Sequence, residues 1–307
     1  MTKSTTRQTA DVAHVVGRKN LIINGGFDVW QRGVGGWIGG YTADRWGVYG
    51  VTNVVQGTPS VFTSSKYGLK IYRNAAGQST TYHKIEAANS RHLAGKDITV
   101  SFDYELIGGG VDKVVVRLYY PNSEDNFDSH TAIGYVEVNA PIHGSRYSAT
   151  FANLPTNVVN GLRLDIEYIT STTSEVLLTE VQLELGSVAT EFEHRSYGEE
   201  LALCQRYFCH SGGDGVIPSL TASPSTTHTH CLVVDIADSG VPSGAFPVEM
   251  RANPTITSGR LYTYNWGLYK NVTAAYATKG GIWRIAHDGG YSTGKPYWYA
   301  YIADAEL

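Results

Sequence analysis

Side chains able to do chemistry are scattered along this chain, and few fall at a diagnostic spacing. Asp165, Glu167, Glu180 and Glu184 lie in extended, alternating stretches. Two carboxylates can hydrolyse a glycosidic bond when a cleft holds them at a defined separation. Strand positions alone do not set that separation. No GxSxG, HExxH or P-loop motif is present, so an enzyme reading rests on no motif and none is expected. His194, between Glu193 and Arg195, reads as a junction residue rather than a base. His228 and His230 form an HxH with Cys231 and Asp235 nearby, but no second pair stands at a zinc spacing. They read as solvent-facing or interface histidines. Cys204, Cys209 and Cys231 are odd in number and lack a CxxC, which points to buried free thiols rather than a disulfide framework.

Binding is better supported than catalysis. Tyrosine and tryptophan present flat apolar faces that stack on sugars, while Asn, Asp and Arg fix hydroxyl groups. The glycan-binding candidates are Trp37, Tyr41 and Arg45 near the start, and Asn122, Asn126 and Phe127 in a predicted polar loop over 121–130. Trp266, Trp283 and Trp298 near the end complete the set. Trp46 reads as core, with Arg45 as its surface neighbour.

The elements that must position these residues are strands. Ile98–Leu106, Leu162–Tyr168 and Val176–Leu185 alternate apolar and polar with period two. In the last of these, Leu177, Thr179, Val181, Leu183 and Leu185 are predicted to share one face. Repeated short strands separated by turns argue for a sandwich rather than a parallel α/β sheet. Ser196 stands three residues before Glu199, a capping-box spacing, and Leu201, Cys204 and Phe208 follow at helical intervals. The expected fold is all-β. A flexible arm over 1–19 precedes a jelly-roll β-sandwich over 20–190, a connector with a short helix over 191–208, and a smaller β domain over 209–307. Phe246, Val248 and Met250 are read as one strand of that second domain.

Charged residues make up 17% of the chain and the net charge is −4, which gives no electrostatic case for nucleic acid. No run of 18 apolar residues suggests a membrane span, and the polar opening does not read as a signal peptide. Folding in a cytoplasm is therefore expected. Tyrosines and tryptophans crowd the last hundred residues beyond what a small core needs, which suggests subunit or ligand contact.

Three stretches resemble bacteriophage tail-fibre and receptor-binding proteins with a carbohydrate-binding-module-like (galactose-binding-like) jelly roll. They are NLIINGGFDVWQRG with YTADRW (20–33 and 41–46), VQLELGSVATEFEHRSYGEELALCQRYF (181–208) and FPVEMRANPTIT (246–257). The resemblance implies a virion protein, made in the host cytoplasm, that binds host surface polysaccharide without covalent chemistry. It implies a homotrimer, with the N-terminal arm meeting other virion proteins. The alternatives are a purely structural virion or capsid-associated protein and a polysaccharide depolymerase. No cofactor is required, but related modules hold a structural calcium, which would fall to Asp28 and Glu180 here. Gly26 stands where the related pattern carries an acid. The trimer expectation is checked by light scattering: a particle of three chains supports it, and a monomer mass overturns it.

Overall fold

The computed structural model describes residues 18–62, 64–139, 141–210, 232–235, 244–263, 269–287 and 296–307. The expected arm, bar its last two residues, therefore lies outside the described residues, as do His228, His230 and Cys231. Two compact units emerge. One holds the chain up to Asp28, Gly35–Arg195 and Leu307; the other holds Val29–Val34 and Ser196–Glu306.

The first unit is a two-layer β-sandwich. One sheet runs, in spatial order, β1 (Gly35–Trp37), β4 (Asn53–Gly57), β5 (Gly68–Arg73), β12 (Ser174–Leu185), β7 (Ile98–Gly109) and β10 (Ser145–Phe151). The other runs β2 (Gly40–Tyr41), β3 (Trp46–Tyr49), β6 (Gly77–Glu86), β11 (Gly161–Thr170), β8 (Lys113–Ser123) and β9 (Asn126–Asn139). Only β2–β3, β4–β5 and β8–β9 are hairpins within a sheet; every other connection crosses between layers, as in a jelly roll. The alternating apolar residues meet between the layers. Val100, Phe102 and Tyr104 of β7 and Leu162, Leu164, Ile166 and Tyr168 of β11 are all buried. Tyr104 and Tyr168 stack with ring centroids 6.2 Å apart.

Two sequence expectations change. The polar stretch 121–130 is no loop: β8 and β9 run through it, with Ser123 opposite Asn126. Asp125 takes the turn at φ 55°, a conformation aspartate tolerates, and its carboxylate accepts from the Ala87 N–H at 2.7 Å. Strand β12 does not alternate throughout. Thr179 pairs Asp103 and Gln182 pairs Ser101, so Glu180 and Val181 together oppose one residue of β7. This is a β-bulge, with Glu180 at φ 50°. It puts Leu177 and Leu183 on opposite faces, because Leu177 pairs Glu105 while Leu183 pairs the core residue Val100.

The bulge frees backbone groups for a neighbour. Val181 N–H donates to Gly25 O at 2.9 Å, and Asn20 Nδ2 donates to Val181 O at 3.2 Å. A Cβ on Gly25 would lie 2.1 Å from Val181 O, so only glycine fits. Asn20 Oδ1 also accepts from Ile22 and Leu183 N–H. Asn24 O accepts from Trp46 Nε1 at 2.9 Å, and Trp46 packs on Phe27 and His83.

The outer face of the first sheet is polar yet buried. Burial works against the charge of Glu105, but the N–H groups of Ser60, Val61 and Phe62 and the Ser60 hydroxyl outweigh it, holding its pKa below the ordinary range. Glu180 accepts from the Ser64 and Ser65 hydroxyls. Beside it, burial raises the Asp103 pKa to about 7, and Glu180 adds to that rise, although Arg146 Nη1 donates to Asp103 at 2.6 Å. Asp103 is thus the easier of the two to protonate, while Glu180 is held toward its charged form, its pKa lowered by Ser64, Ser65 and Asp103 against its own burial.

In the second unit, β13 (Phe208–His210), β19 (Pro296–Asp304), β16 (Thr255–Thr263), β17 (Tyr269–Thr278), β18 (Gly281–His287) and β15 (Gly244–Ala245) form a sheet, with β14 (Leu232–Asp235) also pairing β19. Helix α1 (Tyr197–Gln205) starts at Ser196, whose hydroxyl accepts from Glu199 N–H. It ends before Phe208, which belongs to β13. Residues 246–250 form no strand; Phe246 and Met250 instead turn inward on a core with Cys209, Ile282 and Tyr301. Cys204 and Cys209 are buried free thiols, and burial pushes Cys209 up to about 12. Val29–Val34 joins this unit because the Arg32 guanidinium lies 3.6 Å above the Phe208 ring and pairs with Asp304 and Glu306 at 3.4 Å. Among the described residues no helix is long and apolar enough to cross a membrane.

The Asp103 proton makes stability depend on pH. The folded pKa stands above the ordinary 3.8, so the folded state binds more protons and loses stability as pH rises through about 7. Glu105, Glu180 and Glu184, all lowered, give the opposite limb, lost as pH falls below the ordinary glutamate value. The denaturation midpoint should fall as pH rises from above the ordinary glutamate value to about 7 in the native protein and level off beyond it, and Asp103→Asn should flatten that limb. Matching pH profiles for the two proteins would refute the assignment.

Candidate functional site: a tyrosine face on the second sheet

The outer face of the second sheet gathers the most chemistry in the described residues. Directly paired residues on neighbouring strands point to the same side of a sheet. Across the middle run Gly47, Tyr82, Asp165, Arg117 and Tyr135, one from each of β3, β6, β11, β8 and β9. To one side lie Tyr49, Thr80, Glu167 and Val115. To the other lie Lys84, Arg163 and Tyr119. Leu162, Leu164, Ile166 and Tyr168, the alternate residues of β11, fill the core on the opposite side.

Two arginines are fixed by carboxylates. Arg163 Nε and Nη2 donate to the two oxygens of Asp165 at 2.6 and 2.9 Å. Arg117 Nε and Nη2 donate to the two oxygens of Glu167 at 3.2 and 3.4 Å. Both are two-pronged, and the Arg163–Asp165 pair is of the short, strong kind. Tyrosines hold the guanidinium planes. The Arg163 Cζ lies 4.7 Å from the Tyr82 ring centroid and 5.7 Å from that of Tyr119, and the Arg117 Cζ lies 4.8 Å from that of Tyr135. Burial raises the pKa of Asp165, against the pull of Arg163, with Glu167 adding to the rise. Burial likewise raises Tyr49 and Tyr119, with the charge of Asp165 contributing to both. Burial opposes the charge on Arg163, but Asp165 more than restores it.

The rings form walls rather than a plane. Tyr41 meets Tyr82 edge-on at 65°, and Tyr49 meets it at 39°, with centroids about 6 Å apart in each pair. Tyr49 is 43% exposed and Tyr135 57%. Tyr82 lies over bare backbone, because a Cβ on Gly47 would fall 2.0 Å from its Cζ. At one corner, Lys84 Nζ and Tyr41 Oη both donate to Leu307 O, in the same unit.

Of the residues singled out from sequence, Tyr41 stands on this face. Arg45 does not: it is fully buried at φ 70° and donates to Lys84 O, so it shapes the fold instead of meeting a ligand. Phe127 is 6% exposed, packed where Gly161 leaves room for it. Asn122 and Asn126 are exposed at the β8–β9 tip, where Asn122 bonds Ser129 and Thr131 and Asn126 bonds the Asp128 N–H. Trp37 lies in β1, Trp283 in β18 and Trp298 in β19, with side chains outside the described set; Trp266 is outside it altogether. Asp28 and Glu180 both feel the charge of His194, but the carboxylate of Glu180 is engaged by Ser64 and Ser65. Among the described residues no three His, Cys, Asp or Glu side chains gather as a metal site.

A scan against protein-family models finds no match, and no curated protein matches the chain. Solved structures do resemble the sandwich. The enzymatically active domain of bacteriophage CBA120 tailspike protein 4 aligns with TM-score 0.39 at 12% identity, over 54% of this chain and 21% of that one. This chain therefore spans about a fifth of the tailspike chain's length. TmCBM61, solved with β-1,4-galactotriose, aligns with TM-score 0.38 at 15% identity, over 55% of this chain and all of that one. The CBM22-1 xylan-binding domain of Paenibacillus barcinonensis Xyn10C gives 0.35 at 13%, over 55% and 96%.

Gly47→Ala should force Tyr82 off its floor and cost about 1–3 kcal/mol of stability by overpacking, read from urea unfolding. Gly39→Ala, where a Cβ meets only ordinary contact, is the control. Equal midpoints for the two variants would dismiss the close approach.

Proposed function

We propose that the chain is a non-covalent glycan-binding protein and that the outer tyrosine face of the second sheet is its binding surface. The observation that carries this is the convergence of five tyrosines and two arginine–carboxylate pairs on one outward sheet face. Tilted rings supply apolar walls for sugar rings, and the fixed guanidiniums supply donors for their oxygens. Asp165 and Glu167 sit two apart on one strand, each engaged by an arginine. They are positioned to orient groups rather than to flank a bond from opposite sides, which favours binding over depolymerisation.

The motif resemblance supports placing this activity on a phage virion, in a tail fibre or tail-associated protein facing host polysaccharide. A homotrimer would repeat a weak site and raise avidity, with the N-terminal arm as the attachment to other virion proteins.

A glycan array and a host-cell binding assay on the intact protein, with soluble products monitored, test the reading. Saturable binding without products is expected. Tyr82→Ala and Tyr119→Ala should each weaken it about two- to tenfold, whereas Arg45→Ala should lower stability. Product release would favour a depolymerase, and no binding by the folded protein would favour a structural virion role.

A further inference from the structure

We infer that Thr190 and Gln182 join as an intramolecular ester, formed by attack of the Thr190 hydroxyl on the Gln182 side-chain carboxamide with loss of ammonia. The groups that acyl transfer needs converge where β12 ends. Thr190 Oγ1 is the nucleophile, and it donates to Glu184 Oε2 at 2.6 Å. Glu184 is the base. Burial works against its charge, but the Thr190 hydroxyl and N–H, the Gln182 amide and the charge of Lys19 outweigh it and hold its pKa below the ordinary range. It is therefore ionised at neutral pH and open to a proton. Lys19 Nζ donates to the same Oγ1 at 2.8 Å. An ammonium on the oxygen and a carboxylate on its proton together polarise the hydroxyl toward an alkoxide.

The electrophile is the carboxamide of Gln182, which is fully buried. An ionised carboxylate can only accept, so Nε2 is the atom that faces Glu184 Oε1 at 2.8 Å. The other end, Oε1, accepts from the Glu193 N–H at 2.9 Å. That N–H is placed to steady an oxyanion. A seam of hydrogen bonds alone has no need of an ammonium group on the threonine oxygen.

Oγ1 stands 3.2 Å from Nε2, and the carboxamide carbon Cδ is one bond further on. A turn of the exposed Thr190 side chain carries Oγ1 to the roughly 3–3.5 Å of a reacting pair. The hydroxyl proton passes to Glu184 as the Oγ1–Cδ bond forms, and negative charge gathers on Oε1 beside the Glu193 N–H. The Cδ–Nε2 bond then breaks, and Nε2 leaves as ammonia with the proton that Glu184 received. One amide and one alcohol become one ester and one ammonia, and Glu184 and Lys19 end as they began. Burial of Gln182 keeps water from the new ester carbonyl. The link ties the connector into mid-sheet, because Gln182 pairs Ser101 of β7. Load arriving along residues 191–195 enters β12 there instead of peeling it from Leu185.

Intact-mass spectrometry of the native protein, followed by tryptic peptide mapping, tests the bond. The expected mass is that of the sequence less one ammonia. The tryptic peptide 164–195 should carry the loss and give no backbone fragments separated between Gln182 and Thr190. Thr190→Ala and Glu184→Gln should each restore the full mass, and Thr190→Ser should keep the loss, with circular dichroism confirming that each variant folds. An unmodified mass in the folded native protein overturns the inference. So does a loss that persists in Thr190→Ala, or one confined to the peptides holding Asn24–Gly25 or Asn160–Gly161, where a succinimide would release the same ammonia.

Discussion

The sandwich depends on the bulge in β12 and the segment it captures. Two consecutive backbone groups leave the regular ladder there, and Asn20 and Gly25 take them up. A side-chain network continues the seam: Thr190 and Gln182 meet Glu184, Glu193 accepts from Asn20 N–H, and Arg195 Nη1 donates to Ile22 O. The seam orders the stretch that carries Phe27 to the indole of Trp46 and Ile23 N–H to His83 Nε2. Burial and the charge of Arg45 keep His83 neutral, as an acceptor must be. The core beneath the tyrosine face is therefore closed by polar contacts made some 160 residues away in sequence.

Much of the strand pattern was legible from sequence because period-two alternation survives wherever one side is buried. Leu162–Tyr168 shows this directly. The bulge was not legible, since a single extra residue leaves the letters alternating while reversing their direction. The short motifs that carried the family resemblance proved to be architectural. Asn20, Gly25, Trp46, Glu184 and Arg195 all serve the seam or the core.

The candidate site was legible only in part. Its members come from β2, β3, β6, β11, β8 and β9, so no local window contains the constellation. Asp165 and Glu167 were visible as strand acids, but their arginine partners come from within the same strand in one case and from the neighbouring strand in the other. Arg45 and Phe127 misled because each sits among polar or turn-forming letters. A positive φ turns the first inward, and a tight hairpin buries the second. A partial signal did exist: Tyr82, Lys84, Arg163, Tyr119 and Arg117 all occupy outward phases of strands whose inward phases are plainly apolar.

Strand β11 carries two messages on alternating letters. Its even-numbered positions from Leu162 to Tyr168 specify the packed interior, and Arg163, Asp165 and Glu167 specify the polar chemistry of the outer face. The backbone ladders to β6 and β8 keep the two in phase. Exchange of an odd-numbered side chain can thus redraw what the surface recognises while leaving the interior script unaltered. An inserted or deleted residue would scramble both at once. Such a ribbon diversifies by substitution, in contrast to recognition loops, which diversify freely by length.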